Sequence, residues 1–310
     1  MNETLLELQN IVTERHTEAT GFFGLWGARS VRALDGISLS LRRGETLGIM
    51  GGSGSGKTTL AETATLRRAP DRGRILFEGR DVTKTRGGDR DKLQRRLQMI
   101  RQDARESLEM DQTVAKQFGD RMKQYGLPDA DSRIRRALEL VELPEEYAGR
   151  TPVQMSGGQQ QRVAIARALA LNPVLVAADE PVSGVDPQLQ RDLLTMLERV
   201  QKQQNLSYLI ISHERRTIGR LAHRVAMLDS GRLHEVGPTE QMLTEAKHPY
   251  SRLFLGLEPG EMPFEEDRVG KLFQGCPFAA NCPVTSERCR TETPVMREVG
   301  PEHFAACHAL

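Results

Sequence analysis

Nine consecutive residues, Gly51-Gly52-Ser53-Gly54-Ser55-Gly56-Lys57-Thr58-Thr59, constrain this chain more than any other part of it. An apolar run at residues 46–50 leads straight into them, and a helix is expected after them, so the order reads strand, glycine-rich loop, helix. In such a loop the glycines let successive backbone N–H groups turn inward around phosphates, and the helix N-terminus adds the positive end of its dipole. Lys57 then reaches the terminal phosphates, and Thr58 offers its hydroxyl to Mg²⁺. A Gly/Ser linker would share the composition but not the preceding apolar strand or the Lys-Thr ending. The loop alone implies nucleotide binding of a kind common to kinases, GTPases and ATPases.

The rest of the chain alternates strands with helices. Residues 5–11, 37–41 and 74–77 read as strands, residues 158–171 and 187–204 as helices, and residues 174–178 and 208–211 as fully buried strands. Residues 114–143 carry Ile134, Leu138 and Val141 at helix-face spacing, with breaks at Pro128 and Pro144, which places a helical subdomain at about residues 103–171. That alternation implies a mostly parallel α/β sheet. Past His248-Pro249-Tyr250 the chain is rich in Pro, Gly, acid and Cys, so a boundary is set near residue 245: 1–245 a nucleotide-binding domain, 246–310 a smaller C-terminal region. A length of 310 residues suits one sizeable core plus an appendage. Lys and Arg number 43 against 42 Asp and Glu, which removes the basic excess of a charge-driven nucleic-acid or lipid binder. Residues 163–182 are interrupted by Arg167, Asn172, Pro173, Asp179 and Glu180, so they do not span a bilayer, and residues 1–10 encode neither export nor an anchor. The cytoplasm is the expected compartment.

The strand at 174–178 ends in Asp179-Glu180, delivering two acids to the edge where the phosphate loop lies. Asp179 can hold Mg²⁺ through water, and Glu180 can orient and deprotonate an attacking water. Met155-Ser156-Gly157-Gly158-Gln159, followed by Gln160-Gln161-Arg162, opens another helix and makes a second set of N–H donors suited to a phosphate. Taken alone it is a helix cap. One chain does not easily fold two cradles onto one phosphate, so the second is expected to serve a nucleotide held by another subunit.

With Gln102 after the apolar segment 97–100, Ser183-Gly184-Val185-Asp186, and His213 after a buried strand, the chain resembles the ATP-binding subunits of ABC transporters over about residues 4–240. The resemblance implies a P-loop NTPase fold of the ABC ATPase type with a helical subdomain and a small Cys-containing C-terminal extension. It implies Mg·ATP hydrolysis with Glu180 as base, and Gln102 linking the metal and the water to the membrane subunit's contact helix. It also implies that His213 contacts the γ-phosphate, and that Ser156, Gly157, Gly158 and Gln159 complete a partner's ATP site. Arg32-Ala33-Leu34-Asp35-Gly36-Ile37-Ser38-Leu39, the Gly21-Phe22-Phe23-Gly24 insertion and His248-Pro249-Tyr250-Ser251-Arg252-Leu253 are similar to the oligopeptide and dipeptide importer branch, in its second, F-type ATPase. Expected partners are therefore a homologous second ATPase, two integral membrane permease subunits and an extracytoplasmic solute-binding protein, with no nucleic acid. The expected site is the cytoplasmic face of the inner membrane, held peripherally. Peptides are the default cargo; nickel or metal chelates, glutathione and sugars are cargoes of relatives. Two departures stand out: Glu14-Arg15-His16 replaces the aromatic that stacks on adenine, leaving Arg15 or His16 for that role or adenine loosely held, and Ala104-Arg105 replaces a Pro-aromatic pair after Gln102. A rival reading, a non-transport ABC ATPase acting on DNA or ribosomes, would bring two cassettes or a long coiled coil, and neither is present.

Cys276, Cys282, Cys289 and Cys307 are separated by five, six and seventeen intervening residues, with Pro277 and Pro283 after the first two. Residues 273–310 have few large apolar side chains for a core of their own, so a staple is expected. The spacings are wide for structural zinc, and disulfides are disfavoured in a reducing compartment. A 4Fe-4S cluster tolerates varied spacing and accords with the resemblance, with four reduced thiols as the plain alternative.

Overall fold

A computed structural model describes residues 3–16, 30–103, 107–260, 262 and 273–310, with only the backbone at 15, 16 and 30. Along the chain come β1 (Thr4–His16), β2 (Ser30–Arg42), β3 (Thr46–Met50), α1 (Lys57–Ala64), β4 (Arg72–Phe77), β5 (Arg80–Asp81), α2 (Gly87–Arg96) and β6 (Leu97–Ile100). Then come α3 (Val114–Gln124), α4 (Ala130–Leu140), α5 (Gly157–Leu169), β7 (Leu175–Asp179), α6 (Pro187–Gln204), β8 (Ser207–Ile211), α7 (Arg215–Leu221), β9 (Arg224–Asp229) and β10 (Arg232–Pro238). The last elements are α8 (Thr239–Glu245), α9 (Pro249–Phe254), α10 (Glu287–Thr291), β11 (Arg297–Gly300) and β12 (His303–Ala305).

The large sheet has the order β11-β12-β10-β9-β3-β8-β7-β6, and β9, β3, β8, β7 and β6 pair in parallel, as the alternation of strands and helices predicts. Its middle strands are apolar on both faces because each face has its own core. In β7, Leu175 and Ala177 enter one core while Val176 and Ala178 enter the other; in β8, Leu209 and Ile211 oppose Tyr208 and Ile210. One core is closed by α1 and by a four-stranded antiparallel sheet, β2-β1-β4-β5, through Leu8, Ile37, Ile75 and Phe77. The other is closed by helices, through Phe118, Leu138, Val163 and Leu193. The predicted break at Pro128 falls between α3 and α4, and α6 begins at Pro187, whose missing N–H belongs to the unpaired first turn.

β10 to β12 have no clear signature along the sequence, and β10 shows why. Its sequence, Arg-Leu-His-Glu-Val-Gly-Pro, puts His234 and Glu235 where a buried strand should be apolar, yet both are buried. Glu235 is tolerated because its carboxylate is saturated: it lies 2.6 Å from His303 Nε2 and accepts the backbone N–H groups of Lys247 and His248 at 2.6 and 3.0 Å. The Ala306 N–H then donates to the His234 carbonyl at 2.8 Å, fastening the chain end to β10. The tail expected to lack a core borrows the main one, where Phe278 is buried beside Tyr250.

Glu235→Ala strands two backbone donors and His303 in a dry interior. It is expected to lower stability by about 3–5 kcal/mol, read from the urea midpoint, and to open residues 290–310 to protease. A loss below about 1 kcal/mol would show the carboxylate to be dispensable.

Candidate functional site

The glycine-rich loop is threaded between backbone atoms that leave no room for side chains. Gly51 sits at φ +149°, and a Cβ there would stand 1.9 Å from the Leu228 carbonyl oxygen; Gly56, at φ +105°, would put one 2.4 Å from that of Ala33. Gly54 also has positive φ, and Gly56 caps α1, so Ser53, Gly54, Ser55 and Gly56 curl over the helix N-terminus formed by Lys57, Thr58 and Thr59. The Lys57 ammonium folds back to donate to the carbonyls of Gly51 and Gly52 at 2.8 and 2.5 Å. These are bonds it can exchange for phosphate oxygens, which are stronger, charged acceptors.

Thr58 Oγ1 donates to Asp179 Oδ2 at 2.7 Å, joining the loop to the end of β7. Burial pushes the Asp179 carboxyl up, against the Thr58 hydrogen bond and the Lys57 charge, so the group gains from a nearby cation. Thr58, Gln102 and Asp179 line one cavity of about 340 Å³ with Glu62, Met99, Arg101 and Asp103. Its oxygen-rich wall is where a divalent cation can sit. Glu62 belongs to no sequence motif; its one signal is the i,i+4 spacing from Thr58 on α1.

Glu180 comes next at φ +50°, a left-handed conformation that costs a non-glycine residue about 1–3 kcal/mol. It is held there by its N–H donating to the Ile211 carbonyl at 3.0 Å and by Ser183, whose N–H and hydroxyl both donate to the Glu180 carbonyl. The strain aims the carboxylate at His213, whose Nδ1 and backbone N–H lie 2.6 and 3.2 Å from Oε1. The Glu180 side chain is 11% exposed and that of His213 63%, so the pair opens toward solvent on one side.

The second predicted cradle stands on its own helix. Ser156 and Gln159 form a reciprocal capping box at the start of α5, with Ser156 and Gly157 exposed. Gly158 is buried, and a Cβ on it would meet Leu189 Cδ2 at 2.3 Å. Asp186, in the segment after Glu180, caps α6 by accepting the N–H groups of Gln188 and Leu189. The side chains of Arg15 and His16, the insertion at 21–24 and the pair at 104–105 lie outside the described residues. A smaller cavity of about 90 Å³ is lined by Arg67, Arg101, Arg121 and Arg167, and partial burial with the Arg121 and Arg67 charges pushes Arg167 down to about 10.

The four cysteines are unpaired thiols drawn to one place. Burial pushes the Cys276 thiol up to about 11, and it feels the charge of each of the other three; burial likewise raises Cys282 and Cys307. The Cys276 N–H donates to the Cys289 carbonyl at 2.8 Å. His234, His248 and Cys276 form a tighter group, with ligand atoms all within 4.8 Å of one another, and His248 Nε2 is buried without a hydrogen-bond partner.

Residues 34–183 match the family described as ABC transporter, and residues 234–289 match the oligopeptide/dipeptide transporter C-terminal region. The oligopeptide transport ATP-binding protein AppF of Bacillus subtilis is 34% identical, with 99% of this chain and 97% of that protein covered. A putative peptide import ATP-binding protein of Brucella ovis is 35% identical over 90% of this chain and 92% of its own. Among solved structures, cbiO1 from Clostridium perfringens, part of the complex cbiONQ, superposes with a TM-score of 0.66 at 25% identity over 78% of this chain and 92% of that one. The dimeric cassette MJ0796 with ADP and Pi has the same fold, with a TM-score of 0.66 at 24% identity over 76% of this chain and 99% of that one.

Proposed function

The chain belongs to the ABC transporter family, in its oligopeptide/dipeptide branch, and we propose that it drives peptide uptake as one of two unlike ATPases beneath a permease. It is an ATP-binding and ATP-hydrolysing subunit of an importer, works with ATP and Mg²⁺, and has membrane permease subunits and a substrate-binding protein as partners. Peptide cargo is supported by the names of AppF and its kin. Action on DNA or ribosomes has no such support. A peripheral place on the cytoplasmic membrane face accords with the absence, among the described residues, of any helix long and apolar enough to cross a membrane.

The observation that carries the catalytic reading is the 2.7 Å bond from Thr58 to Asp179, with Glu180 and His213 one residue and one strand away. Lys57 and the N–H groups of residues 51–59, other than that of Gly52, hold the phosphates. Thr58, Asp179 and Gln102 would hold Mg²⁺, which would supply charge to offset that of the phosphates. Glu180 orients the attacking water and takes its proton, and His213 holds the Glu180 carboxylate while facing the γ-phosphate. Residues 1–245 carry this chemistry, residues of about 103–171 form the helical subdomain, and 246–310 are the C-terminal region. In vesicles holding the assembled importer and its binding protein, radiolabelled peptide is expected to accumulate with ATP. Glu180→Gln is expected to cut turnover and uptake about 10²-fold or more. Turnover within a factor of a few of wild type would refute the role of Glu180.

The exposed Ser156 turn, built wholly on α5, supports its serving the partner's nucleotide. Ser156→Arg in this chain, assembled with a wild-type partner ATPase, is expected to lose trapped nucleotide at the partner's P-loop first. Loss confined to this chain's own P-loop would contradict the arrangement.

For the thiols, the reading of a 4Fe-4S cluster is supported by four reduced cysteines standing near one another in the C-terminal region. Cys276, Cys282, Cys289 and Cys307 interact pairwise, yet the one group of three ligands within 4.8 Å among the described residues contains only Cys276 of the four. A single zinc would need sulfurs about 3.8 Å apart, from Zn–S bonds of about 2.3 Å, whereas a cubane holds its cysteines wider. The cluster would supply structural cross-linking or redox sensing. Anaerobic purification is expected to give a coloured protein with about four iron and four sulfide per chain. A colourless protein, or one equivalent of zinc on the His234, His248 and Cys276 group, would overturn the cluster.

A further inference from the structure

The phosphate loop is braced from a part of the chain that carries no nucleotide motif. Tyr250, in the first turn of α9, is buried, and its hydroxyl accepts the Gly52 N–H at 3.0 Å while lying 3.4 Å from the Leu228 carbonyl oxygen. One side chain thus ties the first turn of the loop to the end of β9. The bond falls on a decisive peptide. The Gly52 N–H and the Gly51 carbonyl belong to the same planar unit, and the Gly51 carbonyl is where Lys57 Nζ rests at 2.8 Å. Rotating that unit to free the N–H would carry the carbonyl away from Lys57. It would also disturb the Gly52 carbonyl, which accepts Lys57 Nζ at 2.5 Å and the Ser55 N–H at 3.3 Å.

The position of the hydroxyl is set by the C-terminal region. The Tyr250 N–H donates to His248 Nδ1 at 3.0 Å, which caps α9, and the Tyr250 ring packs edge-on against Phe278 and stacks with Phe254 at centroid distances of 5.6 and 5.9 Å. Phe278 stands two residues from Cys276, and its N–H bonds the Cys276 thiol. We infer that Tyr250 is a positioning residue of the ATP site, its hydroxyl holding the Gly51–Gly52 peptide so that Lys57 and the loop accept phosphate. It deepens the reading of residues 51–59 as the ATP phosphate cradle and rests on it. Removing the hydroxyl leaves Gly52 N–H without a partner in a buried place, a group that cannot stay unpaired at no cost. The loop then relaxes into orientations that do not receive phosphate.

The test compares Tyr250→Phe with Tyr208→Phe, in the full chain for Mg·ATP binding and in the assembled importer for turnover. Tyr208 is an equally buried hydroxyl in the same core, bonded to the Leu197 carbonyl at 3.4 Å. Both variants remove one buried hydroxyl while keeping the ring. Tyr250→Phe is expected to raise the Kd and KM for Mg·ATP about tenfold, a change of about 1.4 kcal/mol, with kcat at saturating ATP within about twofold of wild type. Tyr208→Phe is expected to leave both constants within about twofold even where its melting temperature falls. A Tyr250→Phe chain with unchanged Kd and KM, a loss confined to kcat, or an equal rise in Tyr208→Phe would overturn the inference. Wild-type chain that fails to bind Mg·ATP would overturn the site reading itself.

Discussion

The register of the parallel strands is the constraint on which the rest depends. Ile49 of β3 pairs with Ile211 of β8, and Ile211 pairs with Asp179 of β7, so three strands reach their carboxyl ends at one level. The segments that leave those ends are therefore brought together: the glycine loop after β3, Glu180 after β7, His213 after β8. A shift of a single residue in either pairing would turn alternate side chains to the opposite core and separate Thr58 from Asp179. Burial of both sheet faces prevents such a slip, because the apolar side chains of each middle strand already belong to one core or the other.

Polar groups are admitted to this interior where their bonds find partners. Glu235 is the extreme case, a carboxylate at 0% exposure with His303 at 1%. A buried pair of this kind is weak support for net stability, since desolvation offsets most of the attraction. Its effect is specificity: only one placement of β12 brings His303 to Glu235, and only one placement of the turn entering α9 brings the N–H groups of Lys247 and His248 to the same carboxylate. The C-terminal region is thereby fixed relative to β9 and β10, and through Tyr250 relative to the phosphate loop.

The strain at Glu180 belongs to the same logic. A left-handed non-glycine residue persists because the Ile211 carbonyl and Ser183 hold its backbone on both sides. The outcome is a carboxylate directed away from β7 and toward His213, while Asp179, one residue earlier in regular strand geometry, points back at Thr58. Two adjacent acids acquire different surroundings, one buried against the loop and one paired at an open edge, and so can take different parts in one reaction.

Local sequence determined much of this protein. Apolar runs of five residues, Pro187 behind a capping Asp186, the Ser156 and Gln159 box and the glycines at 51, 54 and 56 each carry their own structural instruction within a few residues, so the phosphate loop, α5, α6, β7 and β8 are legible from the chain alone. Charged strands are not: β10 reads as surface until His303, 68 residues away, is known to meet Glu235. Nor do the place of Glu62 in the cation cavity or the reach of Tyr250 to Gly52 show along the chain. Those contacts join residues far apart in sequence, and the free energy that selects them comes from burial and from the pairing of polar groups out of water, which only the tertiary structure decides.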